Sequence, residues 1–333
     1  MIGISNFICF DLEGPLSPED NAYQLMKRFP EGGHVFEVIS RYDDLLAMEK
    51  REGYEPGDTL ALIAPFLMLH NISDDDIIEL ARAAHLTGGA EKLVSWLQWN
   101  GWKVFCITTA YEPYAHHITN KLGIFAHNVA STPFPVGSLG QTPSRDDLEL
   151  VRNAEEEILT MDTAGEDDRI KKSLDAFFWE KLPATGIGPV VAGIKPVGGG
   201  RKVDALNRFA EKYGQPLSGW AVLGDSITDF RMLEAVDGAG GLAIAFNANQ
   251  YALPAATMGL ASTDIANLGE LLKGWQKGRR KGVEKLVRER EKSGGSDDAG
   301  YFSWLGGRED LEGIIATHQR VRNLVRDDAG KLG

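Results

Sequence analysis

Strand-like runs that alternate with helical patterns constrain this chain more than anything else in it. Phe7 to Phe10, Lys103 to Thr108, Phe125 to Ala130, Trp220 to Asp225 and Gly241 to Phe246 read as strands, the first an apolar run of the kind that fills the middle of a sheet. Helical patterns separate the later ones, at Glu112 to Gly123 with Gly123 as C-terminal cap, Lys202 to Tyr213 and Phe230 to Ala235. Helix and strand in turn predict an α/β fold, a Rossmann-like parallel sheet with helices on both faces.

Two interruptions break the alternation. After the first strand come four helical patterns without a strand: Asp20 to Phe29, His34 to Glu52, Thr59 to His70, and Asp74 to Leu86 with Ser73 as cap. SPED at Ser17 to Asp20 predicts a helix start, with Ser17 capping, Pro18 in the first helical position and Asp20 reaching back. Ala90 to Trp99 is a further helix. The second interruption, 137–183, carries two acidic helical patterns near Arg145 to Thr160 and Asp167 to Lys181. The expected organisation is a core of 1–17, 101–136 and 184–272, a helical block inserted after strand one at 18–100, an acidic helical insertion at 137–183 and a C-terminal helical extension at 273–333. In that extension Lys273 to Lys292 holds nine basic residues against three Glu and reads as a solvated helix face. SGGSDDAG at 293–300 reads as a linker. Arg308 to Arg326 reads as a helix whose Leu311, Ile314, Ile315, His318, Val321, Leu324 and Val325 face the core, with His318 packed and not a ligand.

With 35 Lys and Arg against 48 Asp and Glu, the formal net charge is −13. That balance argues against a nucleic-acid partner and against anionic membrane. The longest apolar run, Leu60 to Leu69, is interrupted by Pro65 and falls short of the roughly 20 residues of a membrane helix, so no membrane insertion is expected. The start, MIGISNF, lacks the layout of an export signal, and a cytoplasmic location is expected. Cys9 and Cys106 are expected to be reduced, buried fillers.

In a parallel sheet the carboxyl ends of the strands open on one crevice, where ligands bind. Asp11 follows ICF with Glu13 two residues on, Thr108 follows VFCI, Asp225 follows WAVLG with Asp229 four residues later, and Lys202 follows the glycine run GGGR. Each alone has an ordinary explanation: Asp11 as a turn former, Thr108 as a strand threonine, Lys202 as the first exposed lysine of a helix. GDSITD is stronger. Its two acids, gathered with Asp11 in one crevice, would repel strongly and call for a cation such as Mg2+.

In order and spacing, DLEG, ITTAY, Lys202 in GGGRKVDAL, and GDSITD resemble the four motifs of the haloacid dehalogenase-like superfamily of phosphatases and phosphotransferases. The resemblance covers residues 5–17, 101–135 and about 184–265. It runs to the phosphoserine phosphatase-like branch, with a helical cap after the first motif, a GDS-type fourth motif and the later AIAFNAN. Most phosphatases of the superfamily carry Asp two residues after the nucleophile, where this chain has Glu13; some members similar to phosphoserine phosphatase and homoserine phosphotransferase also carry DLEG. DLEGPLSPEDNA is similar, too, to archaeal energy-converting hydrogenase A subunit R-type proteins.

The resemblance implies a phosphatase acting on a small phosphorylated metabolite, with Asp11 as nucleophile and Glu13 as general acid and then base. It implies Mg2+ held by Asp11, the carbonyl of Glu13, Asp225 and Asp229. Thr108, Thr109, Lys202 and backbone N–H groups near Gly14 would hold the phosphoryl oxygens. Transfer to a small alcohol acceptor, and a non-catalytic accessory subunit that retains the fold, stay open beside hydrolysis. A phosphoaccepting receiver domain fits poorly, because the acidic pair lies on a late strand and a cap intervenes. Arg41, Tyr42, Arg51 and Tyr54 read as substrate contacts or as surface residues. The acidic insertion reads as a homodimer contact or an extra lid.

Overall fold

A computed structural model describes residues 6–134 and 143–326. The first residues of the chain, the start of the expected insertion at 137–142, and 327–333 of the C-terminal extension lie outside the described residues.

The chain enters the sheet with β1 (Asn6–Phe10) and then runs through α1 (Asn21–Met26), α2 (Gly32–Met48), α3 (Thr59–Leu69), α4 (Asp74–Ala83) and α5 (Ala90–Trp99). It returns as β2 (Trp102–Tyr111), α6 (Glu112–Lys121) and β3 (Val129–Thr132), and leaves again for α7 (Arg145–Ile158), α8 (Asp167–Asp175, continued by a π-helical turn at Ala176–Lys181) and α9 (Gly188–Gly193). Then follow α10 (Gly200–Tyr213), β4 (Trp220–Gly224), α11 (Phe230–Gly238), β5 (Leu242–Phe246), β6 (Met258–Ala261), α12 (Gly269–Ser293), β7 (Tyr301–Trp304) and α13 (Glu312–Arg326). Within α12 the backbone is broken at Arg279, which sits at φ 49°.

The strands form one sheet in the order β3-β2-β1-β4-β5-β6-β7, parallel throughout except for β7, which runs antiparallel on β6. The expected α/β architecture is therefore the one observed. Alternation along β1 divides two cores: Ile8 and Phe10 face one side, Phe7 and Cys9 the other. The first side is covered by α5 and α6 through Leu93, Leu97 and Ile118, and the second by α10 and α11 through Leu206, Phe209, Met232 and Val236. Register places the site. Phe10 pairs with Cys106 on one flank and Leu223 on the other, so Asp11 leaves the sheet one residue before its neighbours reach Thr108 and Asp225. Cys9 and Cys106 are buried and free.

Several local expectations shift. Ser17 is not the cap of α1; Asp20 is, accepting from Tyr23 N–H at 2.9 Å, because residues 12–17 are folded back on themselves with Ser17 N–H donating to Leu12 O at 2.8 Å. β3 begins only at Val129, since Ala126–Asn128 close a 3-10 turn first. SGGSDDAG does not simply link two helices; it delivers β7, whose Phe302 and Trp304 turn inward. β6 is not legible in the sequence, being only four residues long with Gly259 among them. Leu324 is exposed, so the buried stripe of α13 is narrower than the apolar pattern implied.

The acidic insertion packs on α2 and α3. Ile158, Ile170, Leu174 and Phe177 join the same core as Val38, Ile39 and Phe66. Arg41 grips Asp167 through two bonds of 2.8 and 2.6 Å, Tyr42 donates to Asp175 at 2.6 Å, and Arg51 donates to Asp175 at 2.8 Å while stacking on Trp179. Those three residues anchor the insertion, while the Tyr54 hydroxyl is bonded to Asp43. None of the four faces the crevice as a substrate contact.

Candidate active site

The turns that follow β1 and β4, with the last residues of β2 between Thr108 and Tyr111, build the site. Asp11 extends β1, its N–H donating to Leu223 O at 2.9 Å. Its Oδ1 accepts from Leu12 N–H at 2.7 Å and lies 3.0 Å from the Lys202 ammonium. That ammonium also meets Asp229 Oδ1 at 2.7 Å, with the lysine fully buried near the start of α10. Asp229 turns its other oxygen back to the N–H groups of Asp225 and Ser226 at 3.0 and 3.2 Å, which folds GDSITD into a tight loop.

Of the six residues expected to converge, Asp11, Lys202, Asp225 and Asp229 meet, and Glu13 lines the same cleft. One carboxylate oxygen from each of Asp11, Asp225 and Asp229 lies within 4.8 Å of the others. Glu13 is held through Oε1, which accepts from Asn21 N–H at 2.6 Å and from Asn21 Nδ2 at 2.9 Å, while Oε2 faces the Thr109 hydroxyl at 3.5 Å. Thr109 lines the cleft; Thr108 is buried beside it, its hydroxyl accepting from Ala110 N–H at 3.1 Å. Gly14 N–H donates to Ser17 O at 2.6 Å, so the expected free donor at Gly14 is engaged within its own turn. Gly14 itself is required: it sits at φ 99°, and a Cβ there would collide with the Asp225 carboxylate.

Crowding of acids shows in the protonation. Burial, then the Asp229 carboxylate, push the Asp11 carboxyl well above its usual range, against the pull of Lys202. Burial and Asp20 raise Glu13 to about 7, against the hydrogen bonds from Asn21. Burial pulls Lys202 down, but Asp11 and Asp229 outweigh it and hold the ammonium charged.

Two cationic residues at the site were not foreseen. Arg322 and Arg326, one turn apart on α13, both donate from Nη1 to Asp225 Oδ2, Arg326 at 2.7 Å. Asn21, which fixes Glu13, was also missed. The signal for the arginines lay in the spacing, since 322 and 326 fall four and eight residues after His318 on the buried face. His318 is packed as expected, its Nδ1 accepting from Ala248 N–H at 3.0 Å.

The donor set, three converging carboxylates at strand ends, has the chemistry of a site for a hard divalent cation. Asp225 at the same time serves the two guanidinium groups. The cleft above, about 90 Å3, is walled by Phe36, Asp43, Thr59 and Leu60 of the helical block on one side and by Ser226 to Thr228 on the other. The block is tied down over it: Glu55 accepts from Gly200 N–H and from Arg231, each at 3.0 Å, and Asp58 pairs with Arg201.

No protein-family model matches the sequence, and no curated protein matches it. Among solved structures, a gene product from Archaeoglobus fulgidus is similar at a TM-score of 0.86 and 28% identity, over 99% of this chain and 99% of that one. A phosphoserine phosphatase solved as its phospho-aspartyl intermediate analogue is similar at a TM-score of 0.52 and 18% identity, over 81% of this chain and 98% of that one. This second likeness is one of fold. No helix among the described residues is long and apolar enough to cross a membrane.

Proposed function

We propose that this chain, whose fold is haloacid dehalogenase-like in the manner of phosphoserine phosphatase, is a phosphatase that hydrolyses a small phosphomonoester through an aspartyl-phosphate on Asp11. The observation that carries the reading is the convergence of Asp11, Asp225 and Asp229, from the ends of the adjacent strands β1 and β4, on Lys202 of α10, with Glu13 in the same cleft.

The Asp11 carboxylate attacks phosphorus, and the ester P–O bond breaks. Glu13 gives its proton to the departing alkoxide. Oε2 is the oxygen that carries it, because Oε1 already accepts two bonds from Asn21. In the second half Glu13 takes a proton from water, whose oxygen attacks the phosphorus; phosphate leaves and Asp11 is restored. Lys202 steadies Asp11 in the attacking orientation through Oδ1, and the hydroxyl of Thr109, which lines the cleft, with that of Thr108 behind it, would answer the oxygens that gain charge. Mg2+, held by Asp11, Asp225 and Asp229, would screen the approach of one anion to another. The narrow cleft and the tied-down helical block favour a small substrate.

The test is release of phosphate from an aryl phosphate and from a panel of small phosphomonoesters in the presence of Mg2+, with the mass of one phosphoryl group trapped on Asp11 by acid quench. Wild type should turn over and Asp11→Asn should not. Equal turnover by Asp11→Asn, or none by wild type across the panel, would overturn the proposal. Transfer to added alcohols exceeding hydrolysis would redirect it to a phosphotransferase.

A further inference from the structure

We infer that the C-terminal helix α13 is a built-in counter-cation for this site, and that Arg322 and Arg326 compete with a divalent cation for Asp225. The inference rests on reading the crevice as a cation site and adds a gate to it.

Both guanidinium groups meet the same carboxylate oxygen, Asp225 Oδ2. Arg322 donates further to Asp225 O and Asn247 O, each at 3.3 Å, and Arg326 Nε donates to Pro18 O at 3.0 Å. Their side chains are 2% and 5% exposed. Burying two arginines is costly unless they answer charge already in place. Here they answer it: both meet Asp225, and Arg326 also faces the carboxyl groups of Asp20, Glu13 and Asp11, so the pair answers acids already crowded into the crevice. A divalent ion on Asp225 would then sit beside two permanent positive charges. Arginine cannot shed its proton, so the relief open to the site is movement of the guanidinium groups away from Asp225.

The placement of α13 suits that movement. Apart from the arginines it is held to the sheet by Val321, by the His318 bond to Ala248 N–H, and by partly buried Leu311, Ile314 and Ile315. The arginines are its hold on the crevice, and through Pro18 also on the turn that opens the helical block. Exchange of the arginine pair for a divalent ion would release the C-terminal half of the helix and loosen that turn together.

The experiment measures cation binding directly, without turnover: Mn2+ titrated by calorimetry into wild type, Arg326→Gln, Arg326→Lys and Arg322→Gln/Arg326→Gln, with hydrogen exchange of residues 312–326 followed with and without Mg2+. The neutral variants should bind Mn2+ about tenfold or more tightly than wild type, the usual scale of coupling between two ligands of one protein. Arg326→Lys, which keeps the charge, should stay near wild type, and Mg2+ should speed exchange in α13 of wild type. If the double variant does not fold, Arg326→Gln against Arg326→Lys carries the comparison. Equal affinity in the Gln and Lys variants, or saturating Mg2+ that leaves α13 as protected as before, would overturn the inference. Tighter binding in the Gln variants without turnover of any ester would leave it standing and remove the phosphatase reading instead.

Discussion

The Lys202 ammonium lies 2.7 Å from Asp229, fully buried, and the same nitrogen reaches Asp11 at 3.0 Å. One side chain from the start of α10 therefore links the turns after β1 and β4. Because burial is complete, removing it leaves two carboxylates without their nearest cation. Lys202→Met should lower unfolding stability by about 3–5 kcal/mol, the scale for breaking a buried pair on one side. Urea unfolding of wild type and variant checks this, and a shift under about 1 kcal/mol would mean another cation takes over.

Glu13→Gln keeps an oxygen for Asn21 N–H to bond and removes the proton that Oε2 would carry. Hydrolysis of an alkyl phosphate should fall by about 10²- to 10⁴-fold, the range for a lost general acid–base group. An aryl phosphate, whose leaving group needs less help, should lose far less in the first step. The ratio of single-turnover rates for the two esters is the readout, and equal losses on both would assign Glu13 a purely positional part.

Asp11 and Asp225 are legible in the sequence because each follows a run that only a buried strand explains, and a parallel sheet brings strand ends together, whereas Thr108, read as the end of its strand, lies within β2, which runs on to Tyr111. Asp229 is marked by its spacing from Asp225 in GDSITD, and Lys202 by the order of the motifs. Arg322 and Arg326 are not legible, because an arginine every fourth residue on a terminal helix ordinarily points to water, and only their register with His318 marks them as inward. Arg41, Tyr42 and Arg51 failed for the reverse reason. Their partners, Asp167, Asp175 and Trp179, lie more than a hundred residues away, beyond any local pattern.

Gly14→Ala should be more damaging than its size suggests. The position needs φ 99°, and the added Cβ would meet the Asp225 carboxylate. About 1–3 kcal/mol of backbone strain is expected, together with displacement of Asp225 from its partners. Thermal unfolding should show the loss and Mn2+ titration a weakened site; a variant with unchanged melting and binding would contradict the packing of the DLEG turn against GDSITD.

Asp43, in the wall of the cleft, gives the protein a pH dependence with a definite sign. Burial raises its carboxyl from 3.8 to about 7, against the pull of the Tyr54 hydrogen bond. Below about pH 4 both folded and unfolded chains hold the proton and Asp43 contributes no pH-dependent penalty. Between there and about 7 the folded chain keeps a proton the unfolded chain has lost, so the unfolded state binds fewer protons and stability falls as pH rises. Above about 7 the loss is complete, on the order of 4 kcal/mol from this one group. Asp43→Asn, which retains an oxygen for Tyr54, should flatten that part of the slope and leave the variant more stable than wild type at pH 8. Chemical unfolding at pH 5 and pH 8 decides it: a difference between variant and wild type that does not grow with pH would mean that Asp43 is already ionised in the folded chain.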